Sequence, residues 1–174
     1  DLAATVLRVL EETGWAGRRE QVYLQSFEPE ALRYLKYELN TSLPLIQLIG
    51  ENSWLEDGLV DFDALRSDSG LDAIAEYAAG IGPWLMQIYT GRDDDGEMQL
   101  TDLVSRAQAR GLLVHPYTFR ADALPPGIES FEALHELFIG ELGVDGIFSD
   151  FPDKSRDHRE RIYSRRGGAG DARP

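Results

Sequence analysis

At 174 residues, with 43% hydrophobic and 28% charged side chains, the sequence has the make-up of one globular domain that buries roughly two-thirds of its unfolded surface. A formal net charge of -14 argues against nucleic acid and anionic membrane surfaces as partners, because both would repel it. Cysteine is absent, which excludes disulfides, thiolate metal sites and cysteine nucleophiles, and no apolar run approaches the roughly 20 residues of a membrane span.

The chain opens at Asp1 with neither an initiator Met nor a signal peptide. Leu2, Val6, Val9 and Leu10 recur at helical spacing over Leu2 to Glu12, and no strand precedes them, so sequence upstream of Asp1 is expected to belong to the same fold. Gly14 and Gly17 break the helix. Val22 to Phe27 then reads as a strand, and Pro29 opens a helix carried by Ala31, Leu32, Leu35 and Leu39. Leu45 to Ile49, bounded by Pro44 and Gly50, is a second strand. The acidic stretch from Glu51 to Ser69 reads as an excursion loop, and Leu71 to Ala79 as a short helix.

Gly80-Ile81-Gly82-Pro83 reads as a turn, and Trp84 to Tyr89 as an extended or irregular segment. Arg92 to Glu97 is a charged loop, and Thr101 caps a helix that ends at Gly111. Leu112 to Tyr117 is the third clear strand. After a Pro-containing loop from Ala121 to Gly127, Ser130 caps a helix over Phe131 to Leu142 that Gly143 terminates, and Ile147 to Asp150 is the last strand. From Ser155 a helical charge pattern begins, and Arg165 to Pro174, rich in Gly and Arg, is expected to be disordered.

Strand and helix alternate, so the strands should run parallel, with their carboxyl ends forming the rim where such folds place chemistry. His115, Tyr117 and Asp150 fall at that rim. His115 is either a structural histidine satisfied by its neighbours or a substrate contact. His135, mid-helix, and His158, in the charged tail, read as solvated. Tyr117 and Phe151 offer apolar faces, with a hydroxyl on Tyr117 that suits a small polyol, or else pack the rim. Gln25 can donate to and accept from hydroxyls, as can Gln47. The planar fork of Arg120 suits a phosphate, or pairs with Asp122 or another local acid. Asp150 can position a partner side chain or assist a metal site built mainly elsewhere. Asp93, Asp94 and Asp95 lack the spacing of a calcium loop, and Gly80-Ile81-Gly82 lacks the dinucleotide fingerprint.

Four words, namely Gln25-Ser26-Phe27, Gly80-Ile81-Gly82-Pro83, His115-Pro116-Tyr117-Thr118-Phe119-Arg120 and the run from Gly143 to Asp153, stand in the order found in the glycerophosphodiester phosphodiesterase family. The sequence resembles the carboxyl-terminal half of such an enzyme, of the periplasmic type, from about Leu2 to Lys154. The resemblance implies an α/β fold: the C-terminal half of a TIM (β/α)8 barrel of the PLC-like phosphodiesterase type, with about four parallel strands. Residues 1–154 would be the partial domain and residues 155–174 a charged tail, helical and then disordered.

It further implies hydrolysis of glycerophosphodiesters to an alcohol and sn-glycerol 3-phosphate, with two histidines as acid and base and a divalent metal, Ca2+ or Mg2+, neutralising phosphate charge. The family's histidine-arginine-glycine strand, second histidine and metal carboxylates cannot be placed in this chain. No catalytic residue and no metal ligand is therefore assigned to it, and the isolated chain is expected to be inactive. The substrate-binding candidates are Gln25, Phe27, His115, Tyr117, Arg120, Asp150 and Phe151, with Gln25 and Phe27 on the strand that the family lays against substrate. The expected partners are a small glycerophosphodiester and the missing N-terminal half of the barrel, in the periplasm or outside the cell. Two alternatives stand beside this: a non-catalytic half-barrel module that self-associates, and a different hydrolase on the same barrel.

Overall fold

The computed structural model describes residues 2–54 and 60–167. Helix α1 (Leu2–Glu12) leads through a turn to strand β1 (Leu24–Ser26) and helix α2 (Pro29–Arg33), which continues as a π-helical turn over Tyr34–Glu38. Strand β2 (Leu45–Ile49) is followed by α3 (Phe62–Arg66), α4 (Asp68–Tyr77) and β3 (Gly80–Pro83). A hairpin of β4 (Tyr89–Arg92) and β5 (Met98–Leu100) precedes α5 (Leu103–Gln108) and β6 (Leu113–Val114). Helix α6 (Phe131–His135), prolonged by a π-helical turn over Glu136–Glu141, and α7 (Pro152–Gly167) complete the chain. The strands β1, β2, β3 and β6 form one parallel sheet in that order, as the alternation of elements predicts.

Side-chain alternation divides the sheet into two faces. Leu45, Ile49, Ile81 and Val114 pack beneath the helices with Leu32, Leu71, Ile74 and Phe138, all buried. Gln47 lies among them, fully buried, and every polar atom is used: its oxygen accepts from the Tyr77 hydroxyl at 2.8 Å, and its amide donates to the carbonyls of Phe27 and Leu48 at 3.0 Å. It ties β1 to β2 and is no counterpart of Gln25. Burial pushes the Tyr77 phenol up to about 12, against the opposing pull of Arg33.

The opposite face explains a misreading. Gly80-Ile81-Gly82-Pro83 is a buried central strand and not a turn. In register, Gly80 lies between Ile46 and Leu113, and Gly82 beside Leu48. A Cβ on Gly80 would stand 2.5 Å from the Leu113 carbonyl oxygen, and one on Gly82 2.7 Å from Leu48 Cδ2. Glycine here marks close approach of neighbouring strands, which composition alone does not distinguish from a turn.

Other expectations shift for local reasons. The Glu51 to Ser69 stretch holds a 3-10 turn at Asn52–Trp54 and helix α3, capped by Asp61, whose side chain accepts from Ala64 N at 3.0 Å; residues 55–59 lie outside the described residues. Within Trp84 to Tyr89, Leu85–Gln87 form a 3-10 turn and Tyr89 already begins β4 of the hairpin. Thr101 does not cap α5; its hydroxyl donates to the Gln87 carbonyl at 2.7 Å. Ser130 does cap α6, accepting from Ala133 N at 3.0 Å.

Ile147 to Asp150 runs beside the chain after β6 but forms only one parallel bridge, Phe119 to Ser149. Phe148 donates to Pro116 O and accepts from Phe119 N, one residue more than a regular parallel ladder allows. This bulge reverses the alternation, so Tyr117 faces the concave side while Phe119 is buried against Phe138 on the helix side.

The tail is more ordered than its composition suggests. Ser155 and Ile162 of α7 are buried, Arg165 pairs with Glu136 at 2.7 Å, and Arg166 donates to the Gly140 carbonyl. Of the segment expected to be disordered, Arg165 and Arg166 are helical and residues 168–174 lie outside the described residues. His135, read as solvated, is fully buried: its Nδ1 lies 2.7 Å from the Phe131 carbonyl, and its ring contacts Phe119, Phe131 and His158.

We expect Gly80→Ala to destabilise the protein by about 1–3 kcal/mol, because the obstructing atom is backbone that cannot swing away; urea denaturation measures this. Burial holds the His135 imidazole below its ordinary value of 6.5, opposed by the Phe131 carbonyl and aided by His158. The unfolded chain therefore takes up this proton at a higher pH than the native state, so stability is intact above pH 6.5 and falls as pH drops through the native value. Denaturation midpoints at pH 7.5 and at pH 5 should differ by less in His135→Leu than in the native protein.

Candidate functional site

Gln25, Ile46, Leu48, Gly80, Gly82 and Leu113 share the face turned away from the helices, and His115, two residues past Leu113, joins them. In a flat sheet with strands about 4.8 Å apart, β1 would lie about 14 Å from β6. Yet the rings of Tyr23, just before β1, and His115 approach to 5.1 Å. Nearer the carboxyl ends, Phe27 and Tyr117 repeat the contact at 5.9 Å. Both pairs span three strand intervals, which requires a concave face, and the glycines of β3 leave room there for the side chains of Ile46 and Leu48.

Four sequence-predicted residues lie on or above this wall. Phe27 sits at the tip of β1, 37% exposed, with its ring against Tyr117 and Phe62. The Tyr117 hydroxyl donates to the Ile49 carbonyl at 2.8 Å, which fixes the ring; burial, with a smaller push from Glu51, raises its pKa above the usual phenol value. Gln25 is exposed and lines a groove along the open edge of β1, between Leu2 and Val6 of α1 and Tyr34 after α2. His115 is half-buried between Tyr23 and Phe148, and its Cδ2 edge rests on Gly146, where a Cβ would stand 2.8 Å away. Burial lowers its pKa, partly offset by Asp145, whose carboxylate accepts from Val114 N at 2.9 Å.

The remaining three separate from that cluster. Arg120 donates to both oxygens of Asp122, at 3.1 and 3.0 Å, and lies 3.2 Å from Asp150. Of the two roles read for it, pairing with local acids is the one its contacts describe, and Asp150 positions it. Phe151 turns to the helix layer, 6.0 Å from Phe131 with the Lys154 ammonium 5.2 Å above its ring, because alternation sends Asp150 and Phe151 to opposite sides.

The structure also brings up residues that the sequence reading passed over. Trp54 lies over Gly50, where a Cβ would stand 2.9 Å from the indole, and meets Trp84 at 5.1 Å with the rings inclined at 63°. The Glu51 carboxylate accepts from Gln87 Nε2 at 2.8 Å and lies 3.9 Å from Arg66. Glu51 lies two residues past β2 and Trp84 directly follows β3, so position after a strand was the available signal; for Trp84 it was hidden while Gly80–Pro83 read as a turn. Among the described residues, no three His, Asp or Glu side chains are grouped to hold a metal ion.

Residues 1–154 match the model of the glycerophosphoryl diester phosphodiesterase family. The chain belongs to this family. The glycerophosphodiester phosphodiesterase of Haemophilus influenzae is 30% identical over 167 residues, covering 88% of this chain and 46% of that protein. That of Treponema pallidum is 28% identical over 167 residues, covering 88% of this chain and 47% of that protein. The chain thus spans about half the length of these relatives. The crystal structure of a glycerophosphodiester phosphodiesterase from Parabacteroides distasonis superposes with a TM-score of 0.56 at 17% identity, over 94% of this chain and 50% of that one. The likeness in structure shows the fold, that of a TIM barrel, to whose wall the four parallel strands belong.

The hydrogen bonds from Arg120 are the main reason that the exposed Asp122 carboxyl titrates below its usual value. In Arg120→Gln, carboxyl-carbon NMR should find Asp122 titrating at higher pH than in the native protein.

Proposed function

We propose that this chain is the substrate-facing second half of the barrel of an enzyme that hydrolyses glycerophosphodiesters to an alcohol and sn-glycerol 3-phosphate. One observation carries this: in a chain that matches the family over residues 1–154, a concave wall gathers Phe27, Trp54, Trp84 and Tyr117 at the carboxyl ends of its strands. In this reading Phe27 and the anchored ring of Tyr117 exclude water from the apolar side of the glycerol unit, and the exposed amide of Gln25 meets a hydroxyl. His115 supports Tyr23 from below, and Arg120 with Asp150 closes the wall at its last strand.

The residues described here do not fit a metal centre, since no group of ligands converges among them. The Ca2+ or Mg2+ implied for the complete enzyme, and its two acid/base histidines, would come from the other half of the barrel, so no chemical step is assigned to side chains of this chain. The open edge of β1 supports the same reading: its groove, and Leu2, Val6 and Val9 at 80%, 39% and 45% exposure, are surfaces that a neighbouring strand would cover. That edge equally favours the second reading, a half-barrel that covers it by self-association. The periplasmic or secreted location is proposed on the likeness of the His115–Arg120 word alone.

The test is to join the chain to its upstream coding sequence and follow release of sn-glycerol 3-phosphate from glycerophosphoglycerol with Ca2+ or Mg2+, with and without EDTA. We expect hydrolysis that EDTA abolishes, none by residues 1–174 alone, and a KM raised about two- to tenfold in Phe27→Ala. Absence of hydrolysis in the longer protein, or hydrolysis indifferent to the chelator, overturns the proposal. A stable dimer of the isolated chain with no such activity favours the self-associating module.

A further inference from the structure

We infer that His135 and His158 form an acid-operated latch between α6 and α7: a proton taken up by His135 releases α7 from the helix layer. The inference concerns the helix side and is independent of the reading of the strand ends as a substrate wall.

Helix α7 has little apolar surface with which to hold itself in place. Its sequence, Pro152–Gly167, is built largely from charged residues. Among its described side chains only Ser155, His158 and Ile162 are not exposed, and they recur at the spacing of a single helix face. The ion pairs of Arg165 with Glu132 and Glu136 lie at the surface, where such pairs contribute little. His158 therefore stands at the centre of the contact.

That contact joins two imidazoles whose inner nitrogens are idle. His135 is fully buried, and its Nδ1 lies 2.7 Å from the Phe131 carbonyl. A carbonyl only accepts, so Nδ1 carries the proton of the neutral ring and Nε2 is the basic atom. His135 Nε2 and His158 Nδ1 are both buried with no hydrogen-bond partner, and they do not bond to each other. The two rings are 5.1 Å apart, with Phe119 at 5.2 Å and Phe131 at 4.4 Å from His135. A proton arriving on Nε2 creates a charged donor among rings that offer it no acceptor, so the site must take in water or refuse the proton.

Charged groups on the neighbouring elements do not supply that acceptor. On α6 and its π-helical turn, Glu132 and Glu136 meet Arg165, and Glu141 is exposed. On the segment after β6 and the last strand, Arg120 is held by Asp122 and Asp150. On α7, Arg156 pairs with Asp157 and Glu160, Lys154 lies over Phe151, and Asp153, Arg159 and Arg161 are exposed. The charge that does act on His135 is that of His158, and it disfavours protonation, in the same direction as the larger effect of burial. With α7 lifted, the ring is hydrated and regains its ordinary value of 6.5, so docking is complete above pH 6.5 and weakens as pH falls from there toward the docked-state value.

Position decides which element gives way. Phe131 belongs to the same helix as His135, and Phe119 lies in the core against Phe138, whereas His158 belongs to the element with the fewest buried contacts. Release also reaches the rim. The Ser155 hydroxyl donates to Ser149 Oγ at 2.6 Å, Ser149 donates to the Phe119 carbonyl at 3.2 Å, and the next residue, Asp150, lies 3.2 Å from Arg120. Lifting α7 removes the first of these links and loosens the strand that carries Asp150.

Hydrogen–deuterium exchange of the full chain, corrected for the intrinsic rate at each pH, reads opening segment by segment. Between pH 7.5 and pH 5.0 we expect the amides of α7 to open about tenfold more, while those of α4 keep their protection. His135→Phe keeps a ring in the space but has no basic nitrogen, and should stay docked and lose the acid response. His158→Ala uncovers the His135 ring, and should raise α7 exchange at pH 7.5 and shrink the response. In His115→Phe the response should be unchanged. Equal α7 exchange at the two pH values, a response that survives in His135→Phe, or loss of α4 protection in step with α7 overturns the inference. If His135→Phe lacks α4 protection at pH 7.5, His158→Ala decides, and a response as large as in the native chain overturns it.

Discussion

The wall depends on two positions in β3 that carry no side chain. With the Leu113 carbonyl against Gly80 and the Leu48 side chain against Gly82, the central strand lets its neighbours close over it, and Ile46 and Leu48 of β2 fill the space that side chains on β3 would take. The rings of β1 and of the segment after β6 then meet over it, Tyr23 on His115 and Phe27 on Tyr117. A side chain at Gly80 would collide with the Leu113 carbonyl, and one at Gly82 with Leu48. The aromatic surface at the carboxyl ends is thus a consequence of backbone proximity beneath it, and the anchoring of the Tyr117 hydroxyl on the Ile49 carbonyl completes the same constraint from above.

Electrostatics at the rim follow a different rule from that of a phosphate site. Each arginine near the strand ends is tied to two carboxylates, which consumes the charge that an anionic ligand would seek. The rim accordingly offers aromatic faces beside acidic side chains, with the guanidiniums of Arg66 and Arg120 already paired. The helix side is a largely apolar layer in which Gln47, His135 and Ser155 are buried as polar fixtures.

Much of the fold was legible in the chain itself. Leu45 to Ile49 is apolar but for Gln47 and buried at every position because it is covered on both faces, and such a run reads as a buried strand whatever its neighbours. Ser130 followed by a periodic apolar run, and Gly143 at a φ of +67°, bracket α6 by purely local chemistry. The glycerophosphodiester phosphodiesterase words, from Gln25 to Asp153, fixed the family and singled out Phe27, and the rim position of Tyr117 followed from its place at the end of a strand.

What the chain did not disclose depends on contacts between distant segments. Glycine has one appearance in sequence and two uses, freedom in a turn and closeness in a sheet, and only the positions of Leu48 and Leu113 tell them apart at Gly80 and Gly82. A one-residue bulge opposite Phe148 sends Phe119 inward and Tyr117 to the wall, a reversal that strict alternation cannot foresee. Trp54 and Trp84 stand 30 positions apart and become a corner only when β2 and β3 lie side by side. Local propensity and family words settled which elements exist; the tertiary structure decided which side chains share a surface, because that depends on strand register and on where the backbone closes up.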